Sequence, residues 1–476
     1  MSEATEIIGL IPYPTKLDIE LVEKACDFAQ KAHEGQKRYS GDDFFSHVFE
    51  TAKNIAFYKM GSTAIAAGLL HDSIEDGCAT KEEIREEFGE EILFLIEGVT
   101  KLGTLKYKGV KRHVESLRRF FLATSEDIRV IVIKLTDRLH NMQTLEYIPE
   151  EKQERIAQET LEIYAPLAYR LGMSKLSREL EDLAFKFIEP EEYEKVIKII
   201  KERKKSDIEY LEKTTKSLKK AMAKEEIRVI NTHHRVKGIK SLHKKLQRKD
   251  IEDSIHDILA LRVIVPTIDD CYKTLGIIHG SWRPVPGRIK DFIALPKANG
   301  YRSLHTTVFT GDGGIAEIQI RTEKMHQEAE YGVAAHAKYK GKGKDDMPKV
   351  VKDINDYQKD TTDEKNFIKD IKQDFLGERI FVLTPNGDVI DLPEGSGPID
   401  FAYAVHSDIG NYISGVKVNG KMGSLEKNLK SGDIVEVMTK KTLSPTPKWL
   451  KLIKTNVAKR HIKGILDNAE RKKYIP

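Results

Sequence analysis

The hydrophobic period of this chain changes partway along, and that change limits its fold more than any single residue does. From Leu17 to about residue 170, apolar side chains recur every three or four positions, as in Leu21, Ala25, Phe28 and Ala29, with Gly or Pro at the breaks. Strict alternation is scarce, so this stretch reads as helix after helix. Residues 175–225 stay helical but rich in charge; the run KERKKSDIEYLEKTTKSLKKAMAKEE is its most basic part. After Glu226 the texture shifts. IRVI, ALRVIV, TTVF and AEIQIR are short β-prone runs set between helical patterns, which predicts a mixed α/β unit. GKGKDDMPKVVKDINDYQKDTTDEK is polar and reads as a linker. From Arg379 to about Lys440 the chain is β-rich, with a hairpin predicted at Asn386-Gly387, and from Pro447 it is basic and helical. The expected class is multidomain α+β. The predicted divisions are an all-α domain over 1–170, a helical connector over 171–225, an α/β domain over 226–340, a charged linker over 341–377, a small β-rich domain over 378–440 and a basic helical tail over 441–476.

A length of 476 residues fits two to four domains, and 40% hydrophobic residues fill several cores. The net charge of +4 does not mark a nucleic-acid binder as a whole, so any polyanion site must come from local clusters. Cys26, Cys78 and Cys271 lie far apart, with no CxxC and no zinc spacing, which suits a reducing compartment. The N-terminus MSEATEIIGLIP carries acids and no basic leader pattern. The longest apolar runs fall far short of the roughly 20 residues a membrane helix needs. A soluble, cytoplasmic protein with no membrane partner is expected.

The sharpest motif of the helical part is His71-Asp72-Ser73-Ile74-Glu75-Asp76. On a helix, His71 lies one turn from Glu75 and Asp72 one turn from Asp76, so four ionisable groups share one broad face. Neutral imidazole with anionic carboxylate suits a divalent ion such as Mn²⁺, Fe²⁺ or Zn²⁺, and the lack of thiolates argues against structural zinc. Alone, the motif reads equally as a solvated helix end. His47 upstream in RYSGDDFFSH and Asp137 downstream in KLTDRLHNM complete a larger set.

His47, His71, Asp72 and Asp137 together resemble the metal-binding set of the HD phosphohydrolases, and the stretch from Arg38 to Met142 resembles the hydrolase domain of the RelA/SpoT homologue family. The resemblance implies that a metal ion, usually Mn²⁺, activates water against the 3′-pyrophosphate of guanosine tetra- or pentaphosphate. It implies that Glu75 and Asp76 orient or deprotonate that water, that Arg38 stacks near the guanine, and that Ser40, Asn141 and Thr144 contact the nucleotide. Val48 departs from the proline common in the family, without removing a ligand.

A second cluster runs from His234 to Lys245, HRVKGIKSLHKK, and packs cations and a hydroxyl into a short span. Polyphosphates call for such groups, and arginine can also stack on a base. Asp257 precedes a predicted strand and Glu317 lies in another, an arrangement that holds Mg²⁺ against phosphates. Tyr301 offers a flat ring, and Lys297 and His305 offer donors. PKANGYRSLHTTV followed by EIQIRTEKMHQEAEYGVAAH resembles the nucleotidyltransferase-like synthetase domain of the same family. The implied reaction transfers pyrophosphate from ATP to the 3′-oxygen of GDP or GTP. By resemblance, Arg235, Lys237, Ser241 and Lys245 bind ATP. Asp257 and Glu317 hold Mg²⁺, Glu317 also activates the 3′-hydroxyl, and Tyr301 stacks on the acceptor guanine with Lys297, Asn299 and His305 nearby. Arg288-Ile289-Lys290-Asp291 fits the RxKD form of bifunctional members. His234 stands where the family usually has glycine, so a hydrolase-dominant member with a weak or only regulatory synthetase is the alternative.

ERIFVLTPNGDVIDLPEGSGPIDFAYAVHSDIGNYISGVKVNG resembles a TGS domain, a small β-grasp unit. By resemblance it contacts uncharged tRNA on the ribosome, with His406 as the matching residue. Long members of the family continue into further regulatory domains, whereas this chain ends soon after Trp449-Leu450 and is expected to lack them.

Overall fold

The computed structural model describes residues 3–100, 124, 126–247, 259–297, 299–310, 314–336, 377 and 379–473. They fall into two compact units divided near residue 362. The predicted linker lies almost wholly outside the described residues.

The first unit opens with helices α1 (Glu3–Ile8), α2 (Lys16–Ala32), α3 (Phe45–Phe57), α4 (Ser62–Leu70) and α5 (Lys81–Thr100). Thr15 starts α2 through a capping box: its hydroxyl accepts from Asp18 N–H while the Asp18 carboxylate takes Thr15 N–H. Val22, Ala25, Cys26 and Ala29 then form the buried stripe of α2, a helical spacing of three and four. α4 is buried at every residue but Thr63, because α2, α3, α5 and the later helix α6 (Arg129–Gln143) pack around it. α7 (Glu150–Glu159) runs through a π-helical turn at Thr160–Tyr164 into α8 (Ala165–Arg170). α9 (Ser174–Ile188) and α10 (Pro190–Lys224) follow. α10 has Pro at its start, where the missing N–H costs nothing. Its 35 residues span about 52 Å at 1.5 Å each.

A mixed sheet completes this unit. Its strands are β1 (Asn231–Val236), β2 (Leu259–Val265), β3 (Arg283–Pro284), β4 (Lys290–Asp291), β5 (Leu304–Phe309) and β6 (Ile315–Thr322). The order is β1-β2-β6-β5-β3, with β4 beside β5. Only β2 and β6 run parallel, and Ala260 sits opposite Glu317. α11 (Ile239–Gln247), α12 (Ile268–Ser281) and α13 (Glu323–Tyr331) flank it. Leu261, Val263, Val265, Ile318 and Ile320 join Leu211, Leu218 and Met222 of α10 in one core. IRVI does not form the first strand. Ile227 and Val229 join the core from an irregular segment, and the strand is the polar NTHHRV. It pairs only with β2, and such an edge needs no apolar alternation.

The helical and sheet domains of this unit meet at two glycines. A Cβ on Gly332 would lie 2.3 Å from Leu171 O, and one on Gly172 would lie 3.1 Å from Gly332 Cα. Both have positive φ, so this backbone contact closes only with glycine on each side.

The second unit holds the hairpin β7 (Arg379–Leu383) and β8 (Val389–Pro393), then α14 (Pro398–Val405) and α15 (Ser407–Tyr412). A three-stranded sheet follows in the order β10 (Lys421–Gly423), β9 (Ile413–Val418), β11 (Val435–Thr439). In the hairpin turn, Gly387 N–H reaches Thr384 O and Gly387 takes the left-handed backbone. The basic tail packs onto this unit: Trp449, Ala458 and Ile462 share a core with Ile399, Ala402 and Tyr403. Buried Asp400 accepts N–H bonds from Gly397, Lys454 and Thr455, which pins the start of helix α16 (Asn456–Lys473).

Candidate functional site

Three elements converge on the first site. α3 carries His47, the end of α4 delivers His71 and Asp72, and α6 carries Asp137. His47 Nε2 lies 3.5 Å from Asp72 Oδ2 and 3.3 Å from Asp137 Oδ1. His71 Nε2 lies 3.3 Å from Asp72 Oδ1 and 3.8 Å from Asp137 Oδ1. His47, His71 and Asp137 are buried, and their ligand atoms lie within 4.8 Å of one another.

The HDxxED motif is not helical as predicted. α4 stops at Leu70, and residues 71–77 form a turn. Gly77 has positive φ, and Ser73 O accepts from both Cys78 and Ala79 N–H. One helical contact persists, from Asp76 N–H to Asp72 O at 2.9 Å. The turn leaves His71 and Asp72 inside while Glu75 and Asp76 stand exposed at the rim. Burial, and after it the charge of Asp72, raises the pKa of Glu75 and of Asp76 above the usual carboxylate range, which favours proton exchange there.

Hydrogen bonds fix both imidazole tautomers. His71 Nδ1 donates to Gly68 O at 2.8 Å, and its buried Nε2 has no hydrogen-bond partner. His140 Nδ1 lies 3.2 Å from Arg38 Nη1 and 2.8 Å from His47 Nδ1. A guanidinium only donates, so His140 Nδ1 accepts and His47 Nδ1 carries the proton. His47 Nε2 therefore presents a lone pair to the centre. Burial, His47 and Arg38 push His140 down to about 3, which keeps it neutral. Burial opposes ionisation of Asp137, yet Lys134 and the two histidines hold its carboxyl well below the usual range. Lys134 Nζ sits 2.7 Å from Asp137 Oδ2. Two imidazole nitrogens and two carboxylates facing one point, with His71 Nε2 lacking a hydrogen-bond partner, is a donor set that fits a divalent cation.

The residues expected near a nucleotide gather beside this centre. Arg38 donates to Thr144 Oγ1 at 3.2 Å and to Asn141 Oδ1 at 2.9 Å, and Asn141 Nδ2 donates to Asp137 Oδ1 at 2.6 Å. Ser40 Oγ is buried without a partner. Asp137, His140 and Asn141 form one stripe of α6, and Thr144 follows at its C-cap. His140 and Lys134 were missed by sequence reasoning, although their three-residue spacing from Asp137 signals a shared face.

The second site lies on the sheet. His305 Nδ1 is 3.4 Å from Glu317 Oε1, and Tyr301 Oη is 2.9 Å from His305 Nε2. Gln319 Nε2 donates to Glu317 Oε1 at 2.9 Å, and Arg235 Nη1 donates to Gln319 Oε1 at 3.3 Å. Lys297 Nζ stands 5.2 Å from the Tyr301 ring centre. Burial, then Lys290 and Arg235, lowers Lys297 to about 8. Tyr301 precedes β5 in an irregular segment, and Asp257 lies outside the described residues. Glu317 is the third residue of β6, within the strand and not at its mouth. Asn299 Nδ2 donates to Tyr169 O of the helical domain at 3.1 Å, while its Oδ1 accepts Tyr301 N–H at 3.2 Å. Asp291 of RxKD accepts from Ile293 and Ala294 N–H, so it shapes its own turn.

The basic run divides by face. Lys240 pairs with Glu189 at 2.6 Å, and His243 lies 3.4 Å from Glu192, so both serve packing against the connector. Lys237, Ser241 and Lys245 are half-buried, Lys237 ahead of α11 and the other two on it. His234 is exposed, with Nε2 3.4 Å from Thr215 Oγ1 of α10. Arg235 and Arg262 line a cavity of about 730 Å³ between sheet and connector, with Arg178, Tyr193 and Glu330. Arg262 was missed; only strand pairing, which sets it opposite His233, brings it there. In the second unit, exposed His406 caps α15 by accepting Asp408 N–H at 3.2 Å.

A helical domain with a buried His/Asp centre is joined to a mixed sheet with an acid–imidazole–tyrosine face, and a separate small β-rich unit follows, a multidomain α+β architecture with two candidate sites. Models of known families agree along the chain: an HD domain over residues 25–174, the region found in RelA/SpoT proteins over 234–344, and a TGS domain over 380–439. Along these three successive regions the chain is similar to RelA/SpoT proteins. It is 44% identical to a GTP pyrophosphokinase of Myxococcus xanthus over 96% of this chain and 62% of that protein. It is also 44% identical to a guanosine-3′,5′-bis(diphosphate) 3′-pyrophosphohydrolase of Aquifex aeolicus, over 96% and 66%. The chain thus spans about two thirds or less of these relatives' length. The small alarmone synthetase 2 of Bacillus subtilis matches 34% of this chain and 88% of its own, at 27% identity and a TM-score of 0.25. No helix among the described residues is long and apolar enough to cross a membrane.

Proposed function

We propose that this chain both hydrolyses guanosine tetra- and pentaphosphate at the 3′-pyrophosphate and makes it by pyrophosphate transfer from ATP to the 3′-oxygen of GDP or GTP. The observation that carries the reading is the buried centre of His47, His71 and Asp137, with Asp72 at its edge and His71 Nε2 without a hydrogen-bond partner. These four residues hold the ion, Mn²⁺ in this reading. A bound divalent ion supplies Lewis acidity, making water acidic enough to attack at neutral pH. Glu75 and Asp76 take the proton of the attacking water at the rim. Arg38 holds the guanine side of the substrate, with Ser40, Asn141 and Thr144 around it.

In the synthetase direction, Glu317 accepts the proton of the acceptor 3′-hydroxyl and, with Asp257, holds Mg²⁺. Tyr301 stacks on the acceptor guanine, and His305, bonded to both Glu317 and Tyr301, sets their relative geometry. Lys297 and Asn299 stand beside it. Arg235, Lys237, Ser241 and Lys245 bind ATP, with the base in the cavity between Arg235 and Arg262. The His234 ring sits against Thr215, which supports an open donor site. In the second unit, exposed His406 fits a contact to uncharged tRNA on the ribosome.

Incubation of the protein with guanosine tetraphosphate and Mn²⁺, followed by nucleotide chromatography, tests the hydrolase. Wild type yields GDP and pyrophosphate, and Asp72→Asn loses at least about a thousand-fold in rate. Equal turnover by the variant removes the metal centre from the mechanism.

A further inference from the structure

The cavity of about 730 Å³ is built from two domains. One wall is the sheet edge with Arg235 and Arg262. The other is α9, which contributes Arg178 and Asp182. Arg178 Nη1 donates to Val236 O at 3.3 Å, which uses one of its five donors. Its stem lies flat over Gly238: a Cβ there would meet Arg178 Cγ at 2.7 Å and Cδ at 2.9 Å. Asp182 Oδ1 accepts Lys240 N–H at 3.0 Å, so α9 is fastened to the start of α11.

Lys175, Arg178, Arg235 and Arg262 of the cavity face the carboxylates of Glu179, Asp182 and Glu330. Glu330 takes Arg262 and Arg321, each at 3.0 Å, and Glu179 accepts from Gln143 at 3.2 Å. Among the described residues no carboxylate forms an ion pair with Arg178 or Arg235. The buried Nε atoms of Arg235 and Arg262 have no hydrogen-bond partner. Guanidiniums gathered this way repel one another unless an anion or a flat ring lies among them.

We propose that Arg178, supplied by the connector helix α9, is a ligand of the purine nucleoside triphosphate donor, so that the donor site is complete only while α9 rests on the sheet edge. This rests on the reading of the cavity as the donor site. It also gives Gly238 a role: the residue is small so that the Arg178 stem can cross it.

Calorimetric titration of the full chain with α,β-methylene-ATP and Mg²⁺ tests the assignment, comparing wild type with Arg178→Ala, Gly238→Ala and Arg235→Ala. Arg178→Ala weakens binding about ten-fold. Gly238→Ala, which displaces the stem and keeps the charge, weakens it in the same direction. Where Arg178→Ala does not fold, Arg178→Gln keeps the stem and serves the same comparison. If Arg178→Ala binds like wild type while Arg235→Ala does not, the role of Arg178 is overturned and the donor reading stands. If Arg235→Ala also binds like wild type, the cavity is not the donor site and both ideas fall.

Discussion

His140 shows how much one side chain decides in the buried centre. It accepts from Arg38 and from His47, so it sets the tautomer of a metal ligand while anchoring the arginine assigned to the guanine. Outer partners of this kind are worth 10–100-fold in metal affinity. His140→Ala is therefore expected to weaken Mn²⁺ binding by that order, read by titration under electron paramagnetic resonance without turnover; unchanged affinity would sink the tautomer argument. Lys297 makes a second residue-scale prediction. Its pKa of about 8 lies below that of a free lysine, so the ammonium is present below pH 8 and lost as pH rises through it. Phosphate contacts need the charged form. The KM for nucleotide in synthesis should climb above about pH 8, and Lys297→Arg should flatten that climb; a wild-type profile already flat to pH 9 contradicts the role. Much of this scale was legible in the sequence, since His47, His71, Asp72 and Asp137 are the right chemical types and the fold does bring them together. Arg178, Arg262 and Glu330 were not legible, because charged residues on helices and strands look alike until pairing places them around one cavity.

At the scale of elements, two features decide how the parts fit. The HDxxED segment leaves its helix at Leu70, which separates buried ligands from exposed acids. Periodicity cannot show this, because a helix end and a helical turn share the same spacing. The polar edge strand NTHHRV was hidden for a related reason: one-sided pairing removes the alternation that marks a strand. The contact between Gly172 and Gly332 is the second feature. Gly332→Ala places a Cβ 2.3 Å from Leu171 O on a backbone of positive φ. The expected cost is about 2–3 kcal/mol, read as a lower melting transition for the first unit. An unchanged transition means that the junction yields easily.

For the whole molecule, the division into helical, mixed and small β-rich parts was legible from the change of hydrophobic period, because helices and strands bury their faces at different spacings. The joining of the first two was not. Asn299, expected at the acceptor nucleotide, bonds the helical domain at Tyr169 and Tyr301 N–H at once, and the connector helix α9 closes the proposed donor cavity. Two opposed activities in one chain would consume ATP with no net product, so a shared junction is where a ligand could favour one state, by its difference in affinity for the two. The central claim, two working sites of opposite sense, is tested most directly by nucleotide chromatography after incubation with ATP, GDP and Mg²⁺, with Mn²⁺ present. Asp72→Asn should accumulate guanosine tetraphosphate, while wild type holds less and Asp72→Asn combined with Glu317→Gln makes none. Product absent from Asp72→Asn, or equally abundant with Glu317→Gln added, would contradict it.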